Sequence, residues 1–386
     1  METGRGTTVE ERTYRNLYAE IGISQKEIDA RREEIFQKLF YGSDEERLYH
    51  EAGTDMAYFE DTGNHDVRTE GMSYAMMMCV QMNRKSEFDR LWKWVKAYMY
   101  LEHGPNAGYY AWSCSTDGRK NAEGPAPDGE EYFAMALFFA AHRWGDGQPP
   151  LDYEKQAREL LHTCLQKGED GSGGRAMWDP ENHLIRFITE VDFSDPSYHL
   201  PHFYELFACW AEEEDRAFWQ EAARQSREYW KKTCHPVTGL CPEYAHYDGT
   251  PVRPGREWPD QNRHDWYYSD AYRTIANIGL DAEWFGCSSW AREEAERLQT
   301  FFCETVRGND RAVYETDGTI LPMQAMHPIA IVATDAQASL ASEGPYAQEC
   351  VRRFWNTPLR SGARRYYDNC LYFFAFLALS GNYRIY

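Results

Sequence analysis

Two kinds of helical segment alternate along this chain. Residues 71–82 (GMSYAMMMCVQM) and 369–381 (NCLYFFAFLALSG) are apolar on almost every side, so helices built from them must be covered by protein all round. Residues 24–40 and 86–101 instead repeat apolar side chains on one face only. Segments of the first kind lie near residues 71, 131, 199, 270, 328 and 366, and those of the second near residues 24, 86, 152, 215, 288 and 345. The pattern predicts six helical hairpins closed into an all-α (α/α)6 barrel.

The links between these segments differ in length. A short link follows each apolar segment, whereas most links that lead from an amphipathic segment to an apolar one are far longer than an ordinary loop. One end of the barrel should therefore carry most of the loops, with any strands short and confined to them. Because long loops on a rigid scaffold often carry function, we expect the functional face at this end. No Pro/Ser-rich linker divides the chain, and we predict a single domain over residues 1–386.

The charge balance narrows the possible partners. With 62 acidic and 41 basic residues, the chain has a formal net charge of -21, which repels nucleic acid and anionic membranes. The sequence contains no run of 18 apolar residues and no signal-peptide pattern, so neither a membrane span nor export is expected. We therefore expect a cytoplasmic protein with no obligate protein partner and with a neutral or cationic ligand.

The cysteines and histidines lack recognised metal-ligand spacing. Ten cysteines are scattered without a CxxC pair, several of them in apolar helical runs, and are predicted to be buried reduced thiols rather than a zinc site. His199, His202 and Glu205 could present ligands on one helical face, but the HExxH pattern is missing and structural histidines are the favoured interpretation. No Gly-rich phosphate loop and no Ser/His/Asp signature occurs.

Three carboxylic acids lie where loops enter apolar segments: Glu70 in DVRTEGMSY, Asp128 in GPAPDGEEYF and Asp270 in YYSDAYR. Any one of them alone could be a helix cap that complements the helix dipole. Together they would converge on one cleft, with Glu70 as a general acid and Asp270 as a general base for hydrolysis of a glycosidic bond. A helix N-terminus lowers a carboxyl pKa, so we expect burial and the nearby Asp128 to raise the pKa of Glu70.

Aromatic and basic side chains accompany these acids. Trp112 in GYYAWSC, Trp178 in AMWDP and Tyr198 in SDPSYHLPHFYELF are predicted to offer faces for sugar rings, although a Trp at any one position could instead belong to the core. Arg68 and Arg273 lie close in sequence to Glu70 and Asp270, and either orient these acids or form structural ion pairs.

Several long motifs follow one another over nearly the whole chain: DTGNHDVRTEGMSYAMMM, GPAPDGEEYFA, EVDFSDPSYHLPHFYELF, YYSDAYR, ANIGLDAEWFG and RRYYDNCLY. In these motifs the sequence resembles glycoside hydrolase family 8, and most closely its reducing-end xylose-releasing exo-oligoxylanases. The resemblance implies an (α/α)6 barrel and inverting hydrolysis without metal or cofactor. It also implies that Glu70 is the acid, Asp270 the base and Asp128 a carboxylate that assists at the subsite of the distorted sugar.

The same resemblance implies a substrate and a direction of cleavage. In these exo-oligoxylanases a Leu-His-Pro segment closes the aglycone end, and its His recognises the reducing-end hydroxyl; Met326, His327 and Pro328 match it here, with Met preserving the bulk of Leu. Tyr367 in RRYYDNCLY is a further expected substrate contact. The expected reaction is release of xylose from the reducing end of short xylo-oligosaccharides. An endo-acting xylanase, glucanase or chitosanase of the family and a non-catalytic oligosaccharide-binding protein are the alternatives.

Overall fold

In a computed structural model, which describes residues 12–169, 171, 173–253 and 263–386, the chain is built mainly of helices. The α-helices are α1 (Leu17–Glu20), α2 (Gln25–Tyr41), α3 (Thr69–Gln81), α4 (Lys85–Trp94), α5 (Pro127–Trp144), α6 (Tyr153–Gln166), α7 (Pro201–Trp210), α8 (Arg216–Thr233), α9 (Tyr272–Phe285), α10 (Ser289–Thr300), α11 (Pro328–Gln337), α12 (Ala347–Trp355) and α13 (Arg365–Leu379). Single π-helical turns extend α4 and α10, at Val95–Met99 and Phe301–Thr305. Short 3-10 turns occur at Pro196–Tyr198, Glu213–Asp215, Ser269–Ala271 and Ala338–Leu340.

The apolar helices form a closed ring. α3 contacts α5, α5 contacts α7, and the contacts continue through α9, α11 and α13 back to α3. Each inner helix from α3 to α11 also packs against the amphipathic helix that follows it, and α2 packs against α13. The predicted (α/α)6 barrel is confirmed, with the inner ring α3, α5, α7, α9, α11 and α13 and the outer ring α2, α4, α6, α8, α10 and α12.

Side-chain burial explains why the two kinds of segment take these places. Every residue of the inner helix α13 is buried, whereas the outer helix α2 buries only Ile28, Ile35, Phe36, Leu39 and Phe40. A capping box is present at the start of α2, where Ser24 and Glu27 satisfy each other's backbone N–H groups. The predicted helix over residues 86–101 is α-helical only as far as Trp94 and continues as the π-helical turn.

The long connections carry all the strands in the described part of the chain. They span residues 42–68, 100–126, 167–200, 234–271 and 306–327, whereas the last link into the inner ring, residues 356–364, is short. One antiparallel sheet has the order β1 (Tyr49–Ala52), β2 (Met56–Asp61), β3 (Asp66–Arg68) and β4 (Ser113–Cys114). A second has the order β5 (Trp266–Tyr267), β6 (Ala312–Glu315) and β7 (Ile320–Gln324). The loop-bearing end of the barrel is therefore where the sequence predicts it.

The ten cysteines all lie in described residues and are free thiols. Seven are buried, as predicted, but the prediction is wrong for Cys209 and Cys287, which are exposed, and for the half-buried Cys303. The difference arises because Cys209 lies near the end of α7 and Cys287 lies in the link after α9, where the apolar pattern no longer faces the core. No helix among the described residues is long and apolar enough to cross a membrane.

Candidate active site

Glu70 and Asp128 lie in the first turns of two adjacent inner helices, α3 and α5. These helix starts approach each other closely: a Cβ at Gly129 would lie only 2.4 Å from the Cβ of Thr69. A Cβ at Gly71 would lie 2.7 Å from the hydroxyl of Tyr366, which donates a 2.7 Å hydrogen bond to Oε1 of Glu70. Because neither glycine has a Cβ, α5 can approach Thr69 and Tyr366 can approach α3, which brings polar groups around Glu70.

Asp270 reaches the same region from the opposite side of the ring. It lies in the 3-10 turn Ser269–Ala271, which leads directly into α9. Ser269 has a φ of 39°, in the left-handed region that is unfavourable for a residue with a side chain. The hydroxyl of Tyr367 donates a 3.1 Å hydrogen bond to the carbonyl of Ser269, so α13 helps to hold this strained turn and the carboxylate that follows it.

One guanidinium joins the three acids. Nη1 of Arg273 lies 3.2 Å from Glu70 and 3.0 Å from Asp128, and Nη2 lies 3.3 Å from Asp270. Because both nitrogens belong to one small planar group, the contacted oxygens of Glu70 and Asp270 are at most about 9 Å apart. This limit admits the separation of about 6.5–9.5 Å that an inverting glycosidase needs between its carboxyl groups.

The surroundings of Glu70 favour a protonated carboxyl near neutral pH. Burial raises the pKa of Glu70 to about 7; the guanidinium of Arg273 opposes this change, and the carboxylates Asp128 and Asp270 add to it. Burial also raises the pKa of Asp128. A single cation cannot neutralise three neighbouring carboxylates, so retention of a proton at Glu70 is electrostatically favoured. Burial and the neighbouring anions thus raise the pKa of Glu70 by more than the helix N-terminus lowers it, as the sequence predicts.

A cleft runs past these acids and is unequal on their two sides. The larger pocket has a volume of about 450 Å³ and the smaller one about 140 Å³. Arg68, Glu70 and Asp270 line both pockets, so the acid pair stands at the junction between them. Trp112, Asp128, Tyr198 and Arg273 line only the larger pocket, and Met326, His327 and Tyr367 only the smaller.

Two of the three predicted sugar-facing aromatic residues line the larger pocket. Trp112 is 39% exposed and its ring lies beneath the guanidinium of Arg68 at 5.4 Å, and Tyr198 lies beside Arg273. The prediction for Trp178 is wrong. This Trp is 1% exposed and packs edge to face against Tyr204 and Trp219, because its loop turns the indole inward under α7 and α8.

Arg68 forms structural ion pairs, which is one of the two interpretations considered for it. Its Nε lies 3.1 Å from Asp66 and 3.2 Å from Asp61, which are structural ion pairs within the first sheet. The same side chain lines both pockets. The backbone N–H of Thr69 donates to the carbonyl of Trp112 at 3.0 Å, so the sheet also fixes Trp112 at the start of α3.

The smaller pocket ends at a buried polar cluster. Nδ1 of His327 lies 3.1 Å from Oδ2 of Asp368, and the ring of His327 packs against that of Tyr367 with 4.8 Å between centroids. Arg360 forms an ion pair with Asp368 and donates to the carbonyl of Met326. His327 is therefore held by α13 from behind, with its loop drawn toward the acid pair.

Some residues of the site were not predicted from the sequence. Tyr366, the hydrogen-bond donor to Glu70, adjoins the predicted Tyr367 in the motif RRYYDNCLY, and only the helical register shows which Tyr faces Glu70. Asp195 is fully buried, lies 3.8 Å from Nη2 of Arg273, and has its pKa raised by burial and by Asp270. Phe187 and Tyr244 pack together, 4.1 Å between ring centroids, on the wall of the larger pocket.

His199, His202 and Glu205 do not gather into a ligand set. The ring nitrogens of His199 contact Ser194 at 2.9 Å and Ser226 at 2.8 Å, and burial lowers the pKa of His199 to about 3. His202 is buried between aromatic rings of α7 and α9, and Glu205 pairs with Arg227 at 2.6 Å. Both histidines are part of the structural core.

A ring of paired helices that places a buried carboxyl of raised pKa, Glu70, and a second carboxyl, Asp270, along one sugar-sized cleft is typical of a glycoside hydrolase that works by acid–base catalysis. Comparison with known proteins identifies the particular group. Residues 23–381 match the glycosyl hydrolases family 8, and the chain belongs to this family.

Similar proteins are found over nearly the full length of the chain. A reducing end xylose-releasing exo-oligoxylanase of Halalkalibacterium halodurans is 57% identical, over 97% of this chain and 95% of that protein. An enzyme of the same name from Bifidobacterium adolescentis is 50% identical, over 96% of each chain. The solved structure of Rex8A from Paenibacillus barcinonensis complexed with xylose is 55% identical, with a TM-score of 0.94 over 97% of this chain and 98% of that one.

Proposed function

We propose that this chain is an inverting exo-oligoxylanase that releases xylose from the reducing end of short xylo-oligosaccharides. The observation that carries the proposal is the unequal cleft: about 450 Å³ on one side of the acid pair and about 140 Å³ on the side that ends at His327. A pocket that small suits one sugar unit beyond the bond that is cut. The names of the similar enzymes from Halalkalibacterium halodurans and Bifidobacterium adolescentis support the same substrate and direction.

In the proposed reaction Glu70 donates its proton to the glycosidic oxygen as the leaving xylose departs into the smaller pocket. Asp270 removes a proton from a water molecule, which attacks the anomeric carbon from the opposite face of the ring. The bond to the leaving oxygen breaks as the bond to water forms, so the configuration at the new anomeric centre is inverted. Glu70 ends ionised and Asp270 protonated, and a proton exchange with solvent restores both.

The remaining side chains position the substrate in this proposal. Asp128 and Arg273 lie beside Glu70 and Asp270, at the subsite of the distorted sugar. Asp128 accepts hydrogen bonds from sugar hydroxyls. Arg273 fixes the relative positions of the three carboxylates. Trp112 and Tyr198 offer apolar surface to the sugar rings in the larger pocket. His327 and Tyr367 contact the reducing-end xylose in the smaller one.

Product analysis on xylotriose labelled at the reducing end tests the proposal. The expected products are labelled xylose and unlabelled xylobiose, with the xylobiose first formed as the α-anomer from a β-linked substrate. Labelled xylobiose would mean cleavage from the other end and would overturn the direction. Rapid loss of viscosity on long xylan would support the endo-acting alternative, and stabilisation by saccharides without any hydrolysis would support the non-catalytic one.

Two variants test the acid–base pair. Glu70→Ala and Asp270→Ala are each expected to lose nearly all turnover of xylotriose while the fold, followed by circular dichroism, is kept. A matched control is Glu27→Ala, which removes a carboxyl from the cap of an outer helix and should leave turnover unchanged. Full activity in either active-site variant would remove that residue from its role.

We also propose that the protein works in the reducing cytoplasm. All ten cysteines are free. Free thiols of this number are typical of a reducing compartment. Cell fractionation with activity measurements should recover the enzyme with cytoplasmic markers, and recovery in the culture medium would contradict the assignment.

A further inference from the structure

Three potential metal ligands meet where the inner helix α11 packs against the outer helices α10 and α12, and none of the three lines either pocket of the cleft. Cys303 lies in the π-helical turn after α10, Asp335 in α11 and Cys350 in α12. One ligand atom of each residue lies within 4.8 Å of the other two, and no second group of this kind occurs among the residues that the structure describes. Because three separate helices supply the ligands, the cluster is fixed by the packing of the barrel rather than by one flexible loop.

The spacing of the two sulfur atoms matches thiolates that share a metal ion. Tetrahedral zinc with Zn–S bonds of about 2.3 Å separates its sulfur ligands by about 3.8 Å. The sulfur atoms of Cys303 and Cys350 are 3.6 Å apart. A disulfide would require a separation of about 2.05 Å, far shorter than the distance here.

The carboxylate of Asp335 provides an independent sign of a ligand. Its residue is only 4% exposed, and within the described structure its Oδ1 has no hydrogen-bond partner. A buried carboxylate oxygen without a partner costs free energy unless a cation or a donor satisfies it. Asp335 lies in the last turn of the inner helix α11, and its Oδ1 is buried from solvent.

We propose that Cys303, Asp335 and Cys350 form a structural site for a thiophilic divalent cation, with zinc as the metal that this ligand set fits best. Two thiolates and one carboxylate supply three ligands, and a water molecule completes the tetrahedron on the side of Cys303, which is half-buried and gives access from solvent. The bound ion ties α11 to α12 and to the end of α10. Since α11 begins directly after His327, the site anchors the helix that carries the closed end of the cleft.

The charges around the cluster agree with this assignment. The thiol of Cys350 contacts both other members of the cluster: its sulfur lies 3.6 Å from that of Cys303, and it forms a hydrogen bond with the carboxyl group of Asp335. Asp310 and Glu349 add negative charge near Asp335, while the nearby cation Arg353 is paired with Asp310 at 2.8 Å. This excess of negative charge favours the binding of a cation at the cluster.

The site can be tested directly by metal binding. The parent protein should be the Cys209→Ser/Cys287→Ser variant, which lacks the two exposed thiols and keeps the cluster. In reduced form it is expected to bind one equivalent of Zn²⁺ with a dissociation constant below about 1 μM in competition with a chromophoric chelator. Co²⁺ in place of Zn²⁺ should give thiolate charge-transfer and tetrahedral d–d absorption bands. Zinc should also raise the thermal midpoint of the parent.

Three single substitutions in this parent locate the site. Cys303→Ser, Cys350→Ser and Asp335→Asn should each weaken zinc binding by more than about 100-fold, because each removes a direct ligand. Cys234→Ser is the matched control: it changes a buried thiol that adjoins Cys241, outside the cluster, and should keep full binding. Xylotriose hydrolysis by every variant confirms that the fold is intact.

Two results would overturn the inference. One is a reduced, active parent that takes up no zinc at 10-fold excess in the micromolar range. The other is zinc binding that persists at full strength in Cys303→Ser and Asp335→Asn, which would assign the metal to adventitious ligands elsewhere. Cys303→Ser changes a half-buried residue and Asp335→Asn is nearly isosteric, so a failure of Cys350→Ser to fold leaves both outcomes measurable.

Discussion

Replacing Glu70 by Gln should abolish turnover and yet stabilise the protein above neutral pH. Gln has the shape of the protonated acid and keeps an oxygen that can accept the hydrogen bond from Tyr366. It cannot ionise, so it avoids the buried negative charge that wild type carries at high pH. The side chain of Glu70 is 14% exposed, which leaves little solvent to screen that charge.

The size of the stability gain in Glu70→Gln follows from the pKa of Glu70. Burial raises the pKa of Glu70 from 4.5 to about 7, which corresponds to about 3 kcal/mol of free energy against the ionised form in the folded protein. The unfolded chain loses this proton at lower pH than the folded protein, so wild type loses stability as the pH rises from 4.5 to 7. The gain from Glu70→Gln should therefore be near zero at pH 4 and reach about 3 kcal/mol at pH 8.

Urea unfolding of both proteins at pH 4 and pH 8 measures this difference. Because we propose one domain over residues 1–386, a single transition is expected for each protein. Glu27→Gln is the control with the opposite sign, since hydrogen bonds from Ser24 lower the pKa of Glu27 and its ionised form stabilises the cap. A Glu70→Gln protein that is no more stable than wild type at pH 8, or equally stabilised at both pH values, would refute the argument.

Three further predictions concern the cleft. The kcat/KM for xylotriose should fall as the pH rises through about 7, because Glu70 must be protonated to act as the acid; a profile that stays flat to pH 9 would contradict this role. Trp112→Ala should weaken substrate binding by about 1 kcal/mol with little change in stability, whereas Trp178→Ala should cost about 3–5 kcal/mol of stability, and calorimetry with steady-state kinetics separates the two. Asp368→Asn should lower kcat/KM about 10- to 100-fold by releasing His327, and should let xylobiose leave the reducing end of xylotetraose; unchanged products would contradict a positioning role.

The fold could be predicted because its strongest signal is local. An inner helix such as α13 is apolar on every side and an outer helix such as α2 on one, so the alternation of the two patterns already determines a closed ring of pairs. The end of α4 could not be predicted in the same way. A π-helical turn at Val95–Met99 keeps the apolar residues facing the core while it changes the hydrogen-bond ladder, and periodicity does not distinguish these cases.

Residues of the site could be predicted only where their position in the chain determines which end of the barrel they face. Acids at the starts of inner helices must face the loop-bearing end, and the contacts of Arg273 with Glu70, Asp128 and Asp270 bear this out geometrically. The prediction for Trp178 was wrong because a loop conformation, which no periodic pattern reveals, turns its ring inward. Cys303, Asp335 and Cys350 were missed as a cluster for a related reason: three helices bring together residues that have no motif spacing.

The exposure of the two carboxyl groups supports their proposed roles independently of any resemblance. The side chain of Glu70 is 14% exposed and that of Asp270 is 25% exposed, although both contact the same guanidinium. An acid must hold its proton in a site that water does not reach, whereas a base in an inverting reaction must contact the water that it activates. Glu70 lies in the first turn of α3, where the helix dipole favours its ionised form, so the raised pKa shows that burial is the stronger effect. Asp270 lies on a strained turn just before α9, and it lines both pockets of the cleft. The difference in exposure therefore supports Glu70 as the proposed acid and Asp270 as the proposed base.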